Sequence, residues 1–177
     1  MKLRLAIFSI VTAIVLPATL LAQQTAAGRA GDGAPAAAAP LMIPQYGEPL
    51  ALDRAQRVMV AAEREAKRLG VSPAIAVVDS TGHLVMFERL DNSDYGNGDI
   101  AVALAKSAVE FRRPTKEFGD TVATNPTIAF LPGVVPFQGG WPILANGRLV
   151  GAIGVVGARG VPNAGNMVAD AGVNAGK

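Results

Sequence analysis

The chain carries one histidine and no cysteine, and those two counts bound most of the chemistry open to it. His83, in "DSTGHLV", is an imidazole with two ring nitrogens, a side-chain type that can move a proton or present a lone pair to a metal. On a turn it is reached by a ligand and by water alike. A lone histidine with no G-x-S-x-G elbow gives no Ser-His-Asp constellation, and no Walker loop is present. Without thiolates there is no cysteine-based zinc or iron–sulfur site. Two aromatic side chains stand out: Phe137 and Trp141, in "PGVVPFQGGWP", are rigid apolar bodies that can stack on a planar ring or cover a core. Pro132, Gly133, Gly139 and Gly140 flank that stretch and mark a structured loop able to line a pocket.

Glycine also has a spacing. In "LVGAIGVVGARGVP", Gly151, Gly154, Gly157 and Gly160 recur every third residue. Collagen needs many more triplets and abundant proline. A dinucleotide loop needs G-x-G-x-x-G between a strand and a helix, whereas this spacing is G-x-x-G-x-x-G. In a strand, glycines three apart fall on opposite faces. They thin the sheet on both sides, where a helix or a planar ligand can approach the backbone.

The surrounding elements must position these groups. "LALDRAQRVMVAAEREAKRLG" predicts a helix with Ala55, Met59, Ala62, Ala66 and Leu69 on one stripe and Gly70 at the C-cap. "PAIAVVDSTGHLVMFERLD" changes period and predicts a hairpin, Ile75 to Val78 and Leu84 to Arg89, around Ser80-Thr81-Gly82. Asp99 is the expected N-cap of a second helix marked by Ile100, Leu104, Ser107 or Ala108, and Phe111 and halted by Pro114. Lys116 to Val122 suits a short helix, and a further strand is expected around Thr127 to Leu131. Asn146-Gly147 predicts a second hairpin, with Pro142 placing its first arm at an edge. "NAGNMVADAGVNAG" closes as a helix. The order gives an α+β fold: an antiparallel sheet of about five strands with flanking helices.

The chain has room for one domain, and its N-terminus stands apart. Lys2 and Arg4 precede an apolar run, Leu5 to Leu16, then Pro17 and small residues, which is the order of a signal peptide spanning residues 1–22. Ala22 and Ala27 are both possible cleavage points; Leu20 is large for the first, and Thr25 suits the second. Residues 23–45, including "GAPAAAAP", read as a disordered tether, and residues 46–177 as the domain. Cleavage removes Lys2 and Arg4, so sixteen basic residues become fourteen, matching the fourteen acidic ones and taking the formal +2 to zero. A nucleic-acid footprint is therefore absent. The expected location is periplasmic or secreted, with no stable membrane insertion after cleavage.

Four segments in order, "AIAVVDSTGHLVMFERLDN", "GDIAVALAKSAVEFRRPT", "LPGVVPFQGGWPILANGRLVGAIGVVGA" and "ADAG", resemble the GlcG/HbpS family of haem-binding and haem-degrading proteins, from about Leu50 to Ala175. The resemblance implies a profilin-like or roadblock-like domain that assembles into a homo-oligomer and holds haem, or a related tetrapyrrole, as a small-molecule ligand. With no C-x-x-C-H, attachment would be non-covalent. His83 then becomes the foremost axial donor, with Met86, Tyr95 and Met167 behind it and Thr115 of "RRPT" as a non-histidine contact. Asp79, Arg89, Asp91 and Lys106 recur in the matching motifs and could clamp a haem propionate or another carboxylate, or form a structural ion-pair network. The alternative reading is a small enzyme acting on an organic acid or degrading haem through Lys106, Arg89 and Asp91. The "NAGNM" that opens the last helix departs from a family pattern often acidic there, which puts an acid-dependent metal role at that point in doubt.

Overall fold

The computed structural model describes residues 43–177, so the expected signal peptide and most of the expected tether lie outside the described residues. Within them the chain runs α1 (Leu52–Leu69), β1 (Ala74–Asp79), β2 (Leu84–Arg89), α2 (Asn97–Phe111), α3 (Lys116–Val122), a 3-10 turn (Pro126–Phe130), β3 (Gly140–Ala145), β4 (Arg148–Val156) and α4 (Ala164–Ala175). The strands form one antiparallel sheet in the order β2-β1-β4-β3. The fold is α+β.

Both faces of the sheet are covered, and the strand sequences show why. Every residue of β1 from Ala74 to Val78 is buried, so the strand reads as a continuous apolar run rather than an alternation. Ala74, Ala76 and Val78 face α2, while Ile75 and Val77 face the layer made by α1 and α4. The alanine stripe of α1 is buried as its spacing predicts, and Gly70 caps the helix at φ 67° with its N–H bonded to Ala66 and Lys67.

β4 answers the glycine question. Gly151 and Gly154 point to opposite faces. A methyl on Gly154 would collide with the carbonyl of Ala101 and lie 2.7 Å from the nitrogen of Ala105, so α2 rests directly on the strand. A methyl on Gly151 would meet the carbonyl of Val78 and Leu50. The spacing serves close helix packing on one side and close chain packing on the other. The turn joining β3 to β4 has Asn146 at φ 50° and Gly147 at φ 75°, the two positive values a tight hairpin requires. Pro142 lies in β3, an edge strand, as expected.

Three expectations are corrected. The sheet has four strands among the described residues, not five. The segment around Thr127 to Leu131 instead contains the 3-10 turn, because Pro126 supplies no N–H and suits a first helical position. The second helix starts at Asn97, three residues before the Ile100 that an Asp99 cap implies. Gly96 occupies the cap, and Asp99 sits in the first turn, where a carboxylate still opposes the helix dipole favourably. The helix ends as expected: Phe111 is its last residue, ahead of Pro114, and Arg112 turns left-handed at φ 55°.

Candidate functional site

The sequence-predicted site residues fall at four places, Asp91 standing apart in a hollow beside α1, and the order of the strands explains the main division. His83, Arg89 and Lys106 border one edge of the sheet. Thr115, Phe137, Gly139, Gly140 and Trp141 gather at the opposite edge. Pro132 and Gly133 lie at neither: Gly133 takes φ 80° beside the carboxylate of Glu110, near the end of α2.

At the β3 edge the geometry is structural. Thr115 is fully buried, its hydroxyl donating to the carbonyl of Phe137 at 2.5 Å while accepting the N–H of Gly140 at 3.0 Å. Its backbone N–H bonds the carbonyl of Gly140, so Thr115 fastens the loop to the start of β3 from three directions. Gly139 (φ 116°) packs against the carbonyl of Val155, and Gly140 against that of Leu104. The Trp141 indole donates to Asn166, whose amide donates to Gln138, each at 3.2 Å. Phe137 stays 55% exposed at the mouth of a cleft of about 220 Å³, lined also by Asn97, Gln138, Gly157, Arg159 and Gly165.

The β2 edge presents chemistry to solvent. β1 ends on Asp79, whose carboxylate accepts three bonds from the turn: the Thr81 N–H at 2.8 Å, the Thr81 hydroxyl at 2.6 Å and the His83 N–H at 3.0 Å. Partial burial pushes this carboxyl upward, but those bonds prevail and hold it below the usual aspartate range. Gly82 completes the turn at φ 82°. Thr81 Oγ1 also lies 2.7 Å from Nδ1 of His83. A carboxylate can only accept, so the one hydroxyl proton of Thr81 is committed to Asp79. Thr81 Oγ1 must therefore accept from His83, which places the imidazole proton on Nδ1. Nε2 is left with its lone pair, on an exposed side chain. This relay is how proteins orient a histidine for a metal: the far nitrogen is anchored by its hydrogen bond, which fixes the ring's tautomer and orientation.

Beyond His83 the strand bulges. Val77 pairs with Met86 and Val78 with Leu84, so Val85 is the extra residue. In consequence Leu84 and Phe87, three apart, both lie on the α2 face, and they are 51% and 41% exposed. Gly98 of α2 backs onto Phe87, where a methyl would stand 3.3 Å from Cζ, and Val109 touches Gly82 of the turn. Lys106 lies on α2 between those two contacts, exposed and with no carboxylate within 4 Å among the described residues. Arg89 closes the far end, pairing with Ala74, donating to the carbonyl of Ser93 at 2.8 Å and lying 4.9 Å over the Tyr95 ring.

The result is a shelf along β2 with α2 as its wall. It has a directed imidazole nitrogen at one end, an apolar floor of Leu84 and Phe87, and the cations Lys106 and Arg89 at its margin. Thr81, Leu84 and Phe87 were not expected from sequence. The signal for Thr81 was an aspartate at a strand end followed by Ser-Thr-Gly, an Asx-turn pattern. Asp91 lies outside the shelf, in a hollow with Glu63, Lys67 and Glu88, where burial first and Glu63 second raise the Glu88 carboxyl above its usual range. Arg89 and Asp91 are therefore neighbours, whereas Lys106 stands about 13 Å along α2 from its start. Met86 is turned toward the α1–α4 core, Tyr95 is exposed beneath Arg89, and Met167 is exposed on α4. Among the described residues no group of three His, Asp or Glu side chains could hold a bare metal ion, and no helix is long and apolar enough to cross a membrane.

Comparison with known proteins gives a consistent result. The family of haem-degrading, HbpS-like proteins matches residues 50–174. Protein GlcG of Escherichia coli K12 is 33% identical over 108 residues, spanning 60% of this chain and 80% of GlcG. The crystal structure of HbpS superposes with a TM-score of 0.66 at 31% identity, covering 78% of this chain and 97% of HbpS. A PduOC–haem complex superposes at 0.63 with 23% identity, over 72% of this chain and 94% of PduOC, a likeness of fold.

Proposed function

The chain belongs to the HbpS-like family, and from that premise we propose that it is an exported, oligomeric protein that binds haem or a related tetrapyrrole non-covalently on the β2 shelf. The observation that carries the reading is the Asp79–Thr81–His83 relay, which turns Nδ1 of the single histidine inward as a donor and, in the neutral ring, leaves the lone pair on Nε2 of an exposed side chain. Imidazole is a common axial donor to haem iron. The other residues of the shelf fit the same ligand. Leu84 and Phe87 offer an apolar surface for one face of a macrocycle, and Lys106 and Arg89 offer cations for propionates. Bound haem would supply redox and ligand-binding chemistry at its iron; the chain's part is to hold the ring, fix the imidazole and neutralise the carboxylates.

Export is supported by Lys2 and Arg4 ahead of the apolar run Leu5 to Leu16. Oligomerisation is supported by β2 itself, an edge strand with open backbone groups and exposed Leu84 and Phe87. A shelf that shields one face of a planar ligand also leaves the other face for a second copy.

Hemin titrated into the purified protein tests the reading. A saturable Soret shift with defined stoichiometry is expected. A spectrum that stays that of free or aggregated hemin would remove it.

A further inference from the structure

A further hollow lies apart from the β2 shelf and from the Phe137 cleft. It lies where the start of α1 meets the β3–β4 turn, has a volume of about 750 Å³ and is lined by Gly47, Leu50, Arg54, Arg57, Arg148 and their neighbours. That volume is in the range of small-molecule sites. Its wall is fixed by the backbone: Gly47 donates to the carbonyl of Leu149 at 2.7 Å, Leu149 donates to Gln45 at 2.8 Å, and the Ser80 hydroxyl donates to Gly47. Gly47 packs closely there, since a methyl would stand 3.0 Å from Cβ of Arg148.

The charges in this hollow are unequal. Two acids line it, Glu48 and Asp53, against three guanidiniums. Asp53 is taken by Arg57 at 2.9 Å, and that bond is the main reason its carboxyl sits below the usual range. Among the described residues the guanidiniums of Arg54, half-buried, and Arg148, exposed, meet no carboxylate within 4 Å, and neither side chain donates a hydrogen bond there. A half-buried guanidinium with its fork of donors unused is matched to a planar or tetrahedral oxyanion. The first turn of α1, uncapped by any side chain, adds its positive end to the same space.

We propose that this hollow binds a small organic acid or phosphate compound through Arg54 and Arg148, independently of the β2 shelf. The shared chemistry is a multiply charged oxyanion, and two probes separate its sources: succinate for a dicarboxylate, inorganic phosphate for a phosphate. Each is titrated into the full-length protein while backbone amide resonances are followed by NMR. Saturable shifts are expected at Gly47 to Ala51 and Asn146 to Val150, with one probe or both. In the double variant Arg54→Gln/Arg148→Gln the affinity should fall at least about tenfold, as losing charge-assisted bonds implies. An Arg148→Gln single variant, at an exposed hairpin position, gives a second reading should the double variant melt early. No saturable shift with either probe, or shifts unchanged in the variants, would overturn the proposal. Hemin titration of the same variants should be unaltered, so this site and the haem reading can fail separately.

Discussion

Gly154 of β4 lies directly beneath the carbonyl of Ala101 in α2, leaving no space for a methyl group between strand and helix. The helix that walls the β2 shelf is therefore positioned by a glycine two strands away. Gly154→Ala must push α2 outward against backbone atoms that cannot yield. A loss of about 3 kcal/mol, or failure to fold, is expected in chemical denaturation. Gly70→Ala is the control: nothing lies within 4 Å of its would-be methyl, so only the positive φ is strained, and about 1 kcal/mol should be lost.

Thr115 joins the loop of Phe137 to β3 by hydroxyl bonds in both directions. Thr115→Val keeps the shape but leaves a buried N–H and a carbonyl unpaired, at about 1–3 kcal/mol. Thr115→Ser should recover most of it. Thermal melts of the two variants decide the matter. Because this residue is enclosed, neither change should alter the hemin spectrum once folding is matched.

The carboxyl of Asp79 titrates below its usual value in the folded chain. A depressed carboxyl contributes stability that is present above its unfolded value and is lost as the pH falls through the folded one. Wild-type protein should therefore lose stability on acidification below about pH 4, and Asp79→Asn should lose less over the same interval. Urea unfolding across pH 2 to 7, compared between the two, shows whether the slope belongs to this residue.

Leu84 and Phe87 are largely exposed, so their removal should barely touch the core while it strips the shelf of its floor. Leu84→Ser/Phe87→Ser should melt within about 1–2 kcal/mol of wild type, because half-exposed side chains contribute only part of a full burial. Hemin affinity should nonetheless fall at least about tenfold. Equal affinity would move the ligand elsewhere.

How far the sequence could be read follows from the range of its contacts. The α1 stripe, the Asn146-Gly147 turn and the short helix from Lys116 depend on neighbours in the chain, and all three form as their residues predict. The missing fifth strand is a local misreading: Thr127 to Leu131 is apolar enough for a strand, but Pro126 sets up a 3-10 turn instead. The shelf was less legible for a different reason. Period-two alternation puts Leu84 and Phe87 on opposite faces, and only the bulge at Val85 brings them together. Likewise, the proton on Nδ1 of His83 follows from the competing demand of Asp79 on Thr81, a three-residue geometry that residue types alone do not display.

That relay makes the direct test available. Hemin is titrated into wild type, Thr81→Val and His83→Ala, with the Soret band and the low-temperature spin resonance of the ferric iron recorded for each. The account predicts imidazole ligation in wild type, affinity about 10-fold or more weaker in Thr81→Val, where Nδ1 has lost its acceptor, and loss of the ligated signal in His83→Ala with recovery on adding free imidazole. An unchanged ferric signal in His83→Ala would contradict it.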